Sequence, residues 1–176
     1  MSIDPKEFRI ALGQFPTGVA IVTAIVEGQR LGSTISSFNS VSLEPPLVLF
    51  SLIKGSLGFS QWKAAAAFCI AVLGESQRDL SNRFAKAGSD KWAGIEPRFA
   101  ENGAPMVPDA IVYFECEPYG IHDGGDHEIF VSRVTRFHVT EKPECSLIFY
   151  SGKYRQLNDP ERISSPPVSD PWLHGW

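Results

Sequence analysis

Cysteine is scarce in this chain of 176 residues: Cys69, Cys116 and Cys145 are odd in number and widely spaced. They form no CxxC pair and supply no disulfide framework. Cys69 and Cys116 lie in apolar runs and read as small core residues. Long hydrophobic runs are absent too, since none approaches the roughly 20 residues needed to cross a bilayer. The opening, Met1-Ser2-Ile3-Asp4-Pro5, has neither the basic start nor the apolar stretch of a secretory leader. These absences predict a cytoplasmic protein with no membrane partner. Positive charge is also in deficit, with a formal net charge of −4, which argues against a nucleic-acid partner. There is no GxGxxG loop after a strand and no GxxxxGKS/T, so no Rossmann unit or P-loop holds a nucleotide. There is no GxSxG nucleophile turn either, and no internal repeat.

What is present describes an ordinary globular chain, with 43% apolar and 20% charged residues. A chain of this length buries roughly 70% of its unfolded surface, enough for a core without metal or disulfides. Asp4 to Phe15 reads as a helix: Asp4 can cap it, Pro5 suits its first position, and Phe8, Ala11, Leu12 and Phe15 make one apolar face. Val19–Ile25, Ser33–Phe38, Leu47–Leu52, Phe68–Leu73, Ala110–Glu117, Glu128–Thr140 and Ser146–Tyr150 read as strands, with a turn at Glu27-Gly28. Ser56–Ala67 and Ser76–Ala87 read as helices, the second capped by Ser76 and burying Leu80 and Phe84. From Gly88 to Pro108 periodicity fades into a long ordered excursion, a length usually tied to function. The fold class expected is mainly β with added helices, a barrel or sandwich. The domain spans 1–158, and 159–176 forms a surface tail rich in Pro and Ser that ends in tryptophan.

Two segments could carry chemistry. Gly32 to Ser42 packs six Ser/Thr hydroxyls and Asn39 into eleven residues. Strand alternation would put Ser33, Ile35 and Ser37 on one face and Thr34, Ser36 and Phe38 on the other. Hydroxyls and freed N–H groups at a strand end suit a phosphate or the polar edge of a flat heterocycle; composition alone equally allows a Ser-rich turn. Gly124-Gly125-Asp126-His127 permits a tight turn and close approach of another molecule. His127 can donate a hydrogen bond or buffer a proton near neutral pH; a purely structural histidine is also open, and His138 reads as one. His122, Asp123, Asp126 and His127 match no familiar metal-ligand spacing, so no metal is expected.

The run Thr34-x-x-Ser37-Phe38-x-Ser40-Val41-Ser42-x-x-Pro45-Pro46-Leu47-Val48 resembles the signature of the flavin reductase-like family. So do Phe8-Arg9-x-x-Leu12-Gly13-x-Phe15-Pro16-Thr17-Gly18-Val19, Asn82-x-Phe84-Ala85, Gly125-Asp126-His127-x-Ile129-Phe130-Val131, and Tyr150, Gly152 and Tyr154. One such motif is weak; five in family order are specific, because accidental matches must multiply. Ser132 departs from the pattern, since relatives often carry Gly there.

The resemblance implies an FMN-binding split β-barrel, antiparallel and of Greek-key type, usually a homodimer with flavin near the subunit interface. It implies hydride transfer from NADH or NADPH to N5 of FMN or FAD, with reduced flavin passed to a partner monooxygenase. By resemblance, Ser33, Thr34, Ile35, Ser36, Ser37, Ser40, Val41 and Ser42 lie along the flavin. Ser51, Leu52, Lys54 and Ser56 form a second flavin-binding stretch, and Arg83 and Phe84 a third. Lys54 and Arg83 are expected near the flavin phosphate, where fixed positive charge offsets a dianion. His127 is expected to face flavin and nicotinamide as the catalytic helper, and Tyr154 either contacts the nicotinamide nucleotide or serves as a rim or core tyrosine. Two other readings stay open on the same barrel: an oxidase of the pyridoxamine-phosphate-oxidase type, and a non-catalytic flavin or haem carrier.

Overall fold

The computed structural model describes residues 3–56, 58–141 and 144–157, so the expected tail lies outside the described residues. Helix α1 (Pro5–Leu12) is capped as its sequence predicts: Asp4 Oδ1 accepts from the N–H groups of Lys6 at 2.7 Å and Glu7 at 2.9 Å. Its apolar face, however, is not buried within the chain. Phe8, Ile10 and Leu12 are all more than half exposed, as is Phe15 just beyond the helix.

The strands follow in order: β1 (Thr17–Gly18), β2 (Ala20–Val26), β3 (Gln29–Ile35), β4 (Asn39–Leu43) and β5 (Pro46–Ile53). After α2 (Phe59–Ala64) come β6 (Phe68–Val72), a 3-10 turn (Glu75–Gln77) and α3 (Arg78–Ala85). Then follow β7 (Arg98–Phe99), β8 (Pro105–Met106), β9 (Val112–Gly124), β10 (His127–Val139), β11 (Ile148–Tyr150) and β12 (Lys153–Arg155). Seven strands form one antiparallel sheet in the order β3-β2-β6-β9-β10-β5-β4. The mainly β, antiparallel architecture with added helices is the one the sequence predicts. Glu27 and Gly28 both have positive φ, 51° and 78°, the two-residue turn whose twist matches a hairpin.

Both faces of the central strands are buried, which is why β2 and β6 read as nearly continuous apolar runs. Ala20, Val22 and Ala24 point to one core with Phe50, Phe68, Ile70 and Phe130. Ile21, Cys69 and Ala71 point to a second core with Phe84, Trp92, Ala104 and Val107. In the first, Phe50 and Phe130 stack with centroids 5.1 Å apart, and Phe68 meets Phe50 edge-on at 5.4 Å. Such pairs add about 0.5–1.5 kcal/mol beyond the area they bury. The Gly88–Pro108 excursion supplies Trp92, Ala104 and Val107 to the second core, so it is partly structural.

Three local expectations differ from the structure. β4 was not expected as a strand; pairing with β5, at Asn39↔Leu49 and Ser40↔Val48, makes it one. Strand alternation stops at Ile35 because the chain bends at Ser36, so Phe38 packs against the same core as Ile35. Ser76 does not cap α3. Its hydroxyl donates to Glu144 Oε1 at 2.6 Å, and the Gln77 side chain accepts the Gly74 N–H at 3.0 Å.

Candidate functional site

A cavity of about 930 Å³ opens between β3, the end of β5, α2 and the loop after α3. Its size is that of a site for a cofactor or drug-sized molecule. Ser33, Thr34, Ile35, Ser36 and Ser37 form one wall; Ser51, Leu52, Ser56 and His127 form another. Just past β3, the Ser37 hydroxyl bridges to β5, accepting from Ser51 N at 2.9 Å and donating to Ser51 O at 3.2 Å. Thr34 Oγ1 donates to Ser81 O at 2.7 Å, which pins β3 to α3. Among the described residues, the hydroxyls of Ser33, Ser36, Ser51 and Ser56 bond no protein group, leaving them for a ligand.

Two basic groups that sequence reasoning missed line the same cavity. Lys91 Nζ donates to Gly32 O and Phe84 O, both at 2.8 Å, which uses two of its three hydrogens and fastens the loop onto β3 and α3. Burial pushes the Lys91 ammonium below the ordinary lysine value. The Arg30 guanidinium lies over the Trp92 ring, 5.7 Å from its centroid. Gly32 between them has no room for a side chain, because a Cβ there would run into the Phe84 ring. The legible signal was the long excursion itself, where Asp90-Lys91-Trp92 breaks a stretch of small and polar residues.

The other expected residues lie elsewhere in the single chain. Ser40, Val41 and Ser42 are on edge strand β4, outside the cavity lining. Lys54 gives its ammonium to Asp123 Oδ2 at 2.5 Å. Arg83 is exposed and donates from Nη1 to Ala93 O at 2.9 Å. Phe84 is fully buried and meets Trp92 edge-on, centroids 5.1 Å apart. The Tyr154 hydroxyl donates to Asn82 Oδ1 at 3.1 Å and sits 2.8 Å from Ser81 Oγ, on the side of α3 facing a separate cavity of about 570 Å³. Ser132 is buried in β10, where the register with β9 shifts opposite Pro118, and it does not line the cavity.

His127 enters beside β5, paired with Ile53 on one side and Gly124 on the other. Its Nδ1 lies 2.7 Å from Asp126 Oδ1. That hydrogen bond, followed by the imidazole charge, holds the Asp126 carboxyl below the usual carboxylate range. The Lys54 hydrogen bond does the same for Asp123, helped by the Gly125 N–H. Among the described residues no group of three or more His, Cys, Asp and Glu could hold a metal ion.

Residues 12–158 match the flavin reductase like domain. This chain belongs to the flavin reductase-like family. Among its relatives is the reductase subunit HsaB of a flavin-dependent monooxygenase from Mycobacterium tuberculosis, 39% identical over 165 residues, covering 92% of this chain and 87% of HsaB. A flavin reductase from Pseudomonas putida is 38% identical over 154 residues, covering 87% of this chain and 90% of its own length. Among solved structures, nitrilotriacetate monooxygenase component B from Mycobacterium thermoresistibile superposes with a TM-score of 0.87 at 35% identity, covering 94% of this chain and 93% of the other. The sequence resemblance is thereby borne out, and the family shares this fold.

The cavity of this flavin reductase-family chain fits a flavin by the chemistry of its donors. A row of free hydroxyls suits a polyhydroxyl chain, cations at Arg30 and Lys91 suit a phosphate, and apolar Ile35, Leu52 and Trp62 suit a flat ring.

Proposed function

We propose that the chain is an NAD(P)H:flavin oxidoreductase that takes FMN or FAD into this cavity and hands the reduced flavin to a flavin-dependent monooxygenase. When bound, the flavin supplies the acceptor, N5, for hydride from NADH or NADPH. The chain's own residues bind and orient. Arg30 on β3 and Lys91 on the loop after α3 hold the phosphate; Ser33, Thr34, Ile35 and Ser36 follow the ribityl chain. Ser37, Ser51, Leu52 and Ser56 frame the ring, and His127 holds the nicotinamide against it. Holding two reactants in register is the main contribution, because effective molarity replaces a bimolecular encounter. No acid or base on the chain is required.

The observation that carries this reading is the joining of two distant Ser segments, Ser33–Ser37 and Ser51–Ser56, with His127 and two cations around one cavity. Relatives named as monooxygenase reductase subunits support the partner. Arg83, Phe84 and Tyr154 act on the flavin by bracing α3 and the loop after it, Arg83 at Ala93, Phe84 at Trp92 and Tyr154 at Ser81. Ser40, Val41 and Ser42 contribute across a homodimer. Support for that dimer is the apolar surface left open on α1, on β4 at Leu43 (70% exposed) and on β10 at Phe137 (65% exposed). The three free cysteines suit a cytoplasmic location, and no helix among the described residues is long and apolar enough to cross a membrane. The working domain is proposed to end near residue 158, where the family match ends.

The test is steady-state oxidation of NADH and NADPH with and without added FMN or FAD. Oxidation that depends on both protein and flavin supports the reading. Oxidation that is indifferent to flavin contradicts it.

A further inference from the structure

The turn that presents His127 is fastened from two sides. Gly124 and His127 pair directly, leaving Gly125-Asp126 as a two-residue turn with Gly125 at φ 80°. Asp123 Oδ1 accepts the Gly125 N–H at 3.0 Å, so the carboxylate stiffens the turn from inside. Lys54, the residue after β5, grips it from outside. Its backbone N–H donates to Asp126 O at 3.0 Å, and its ammonium pairs with Asp123 Oδ2 at 2.5 Å. Asp126 Oδ1 then meets His127 Nδ1 at 2.7 Å.

Which nitrogen of an imidazole works is set by the bond the other one makes. A carboxylate accepts only, so Nδ1 carries the proton in this pair. That leaves Nε2 as the ring nitrogen free to act in the cavity His127 lines. The other charged groups around the ring are engaged: Lys54 with Asp123, and Lys63 with Glu128 at 3.1 Å, Glu128 standing next to His127 on β10.

We infer that Asp126 and Lys54 are positioning residues: Asp126 fixes the tautomer and rotation of His127, and Lys54 fixes the turn that carries Asp126. The inference rests on the reading of His127 as the nicotinamide-side group of a flavin reductase. It gives Lys54 a role other than flavin phosphate ligand. It also explains why a carboxylate exposed to solvent stands between Gly125, at positive φ, and the histidine.

The experiment combines a structural readout with a kinetic one on the full chain. Imidazole nitrogen NMR of the wild type is expected to show His127 with its proton on Nδ1. In Asp126→Ala the ring should become a mixture of tautomers, and Asp126→Asn, which keeps an acceptor oxygen, should restore the Nδ1–H form. In kinetics, Asp126→Ala and Lys54→Met should raise KM for NADH by a factor of roughly 3–30, the coupling typical of one hydrogen-bonded network. kcat and FMN affinity should stay close to wild type. In a His127→Ala background, Asp126→Ala should add nothing. A wild-type ring protonated on Nε2, or equal losses from Asp126→Ala with and without His127, would overturn the inference. If the tautomer responds to Asp126 while His127→Ala leaves KM for NADH unchanged, the positioning stands and the role given to His127 fails.

Discussion

The Ser37 hydroxyl engages both backbone groups of Ser51, accepting the N–H at 2.9 Å and donating to the carbonyl at 3.2 Å. One side chain thus does the work of a strand partner where β3 has already ended. It brings the two Ser segments to one cavity and orients each toward it. Ser37→Ala should strand the Ser51 N–H, costing about 1–3 kcal/mol, and loosen flavin binding. Urea unfolding checks this, with Ser37→Thr as the variant that keeps the hydroxyl and most of the stability. An alanine variant as stable as wild type would show that the bridge contributes nothing.

Gly32 is the close approach on which the cavity floor depends. A methyl group there meets the Phe84 ring, which is fully buried and locked edge-on against Trp92. Gly32→Ala should therefore destabilise the fold by about 1–3 kcal/mol, the usual cost of overpacking, and displace the 86–92 loop. The melting temperature and flavin affinity should fall together. A variant that loses neither would mean that Phe84 moves aside freely.

Lys91 and Arg30 should discriminate flavins by their phosphate. Arg30→Gln should weaken FMN binding about 10- to 100-fold, the size of one charge-assisted hydrogen bond, while leaving riboflavin unchanged; Lys91→Gln should cost FMN more than riboflavin, which loses only the fastening of the loop. The pH dependence has a definite sign. Burial lowers the Lys91 pKa, so as pH rises the ammonium is lost before an ordinary lysine would lose it. FMN affinity should fall through that range, and riboflavin affinity should not. Fluorescence titration across alkaline pH measures both. Parallel behaviour of FMN and riboflavin would remove the phosphate from this corner.

Leu43 on the edge strand β4 and Phe137 on β10 are large apolar residues facing solvent in the single chain. If a second copy covers them, Leu43→Asp or Phe137→Asp should convert a dimer to monomers in light scattering coupled to size exclusion. A wild-type monomer, or variants that remain dimeric, would leave these faces without that role.

Much of this architecture is legible in the sequence, for identifiable reasons. Asp4 and Pro5 start a helix by local hydrogen bonding, and Glu27-Gly28 makes a hairpin by local backbone preference. β2 and β6 announce themselves because burial on both faces demands apolar runs, and β5 because its Val48, Phe50 and Leu52 face is buried. β4 does not, because its strand character comes from pairing with β5, and its Ser-rich local sequence equally suits a turn. β9 runs on to Gly124, beyond the Glu117 where its pattern ends, since irregular register near Pro118 lets the strand absorb residues that usually end one, whereas β10 keeps the length its pattern implies. The site divides the same way. Ser33–Ser37 and His127 stand in motifs, whereas Arg30 and Lys91 look like surface charges until the 86–92 loop folds over β3. Lys54 was legible as important and is bound to a different partner, a matter of three-dimensional distance that spacing does not encode.

Anaerobic titration of the flavin-loaded protein with NADH and then NADPH, followed at the oxidised-flavin band near ~450 nm, tests the hydride transfer most directly. Protein-dependent bleaching of FMN or FAD by one of the nucleotides is expected, and it also fixes the cofactor pair. A stable bound-flavin spectrum that neither nucleotide bleaches would contradict a reductase and point to the oxidase or the carrier on the same fold.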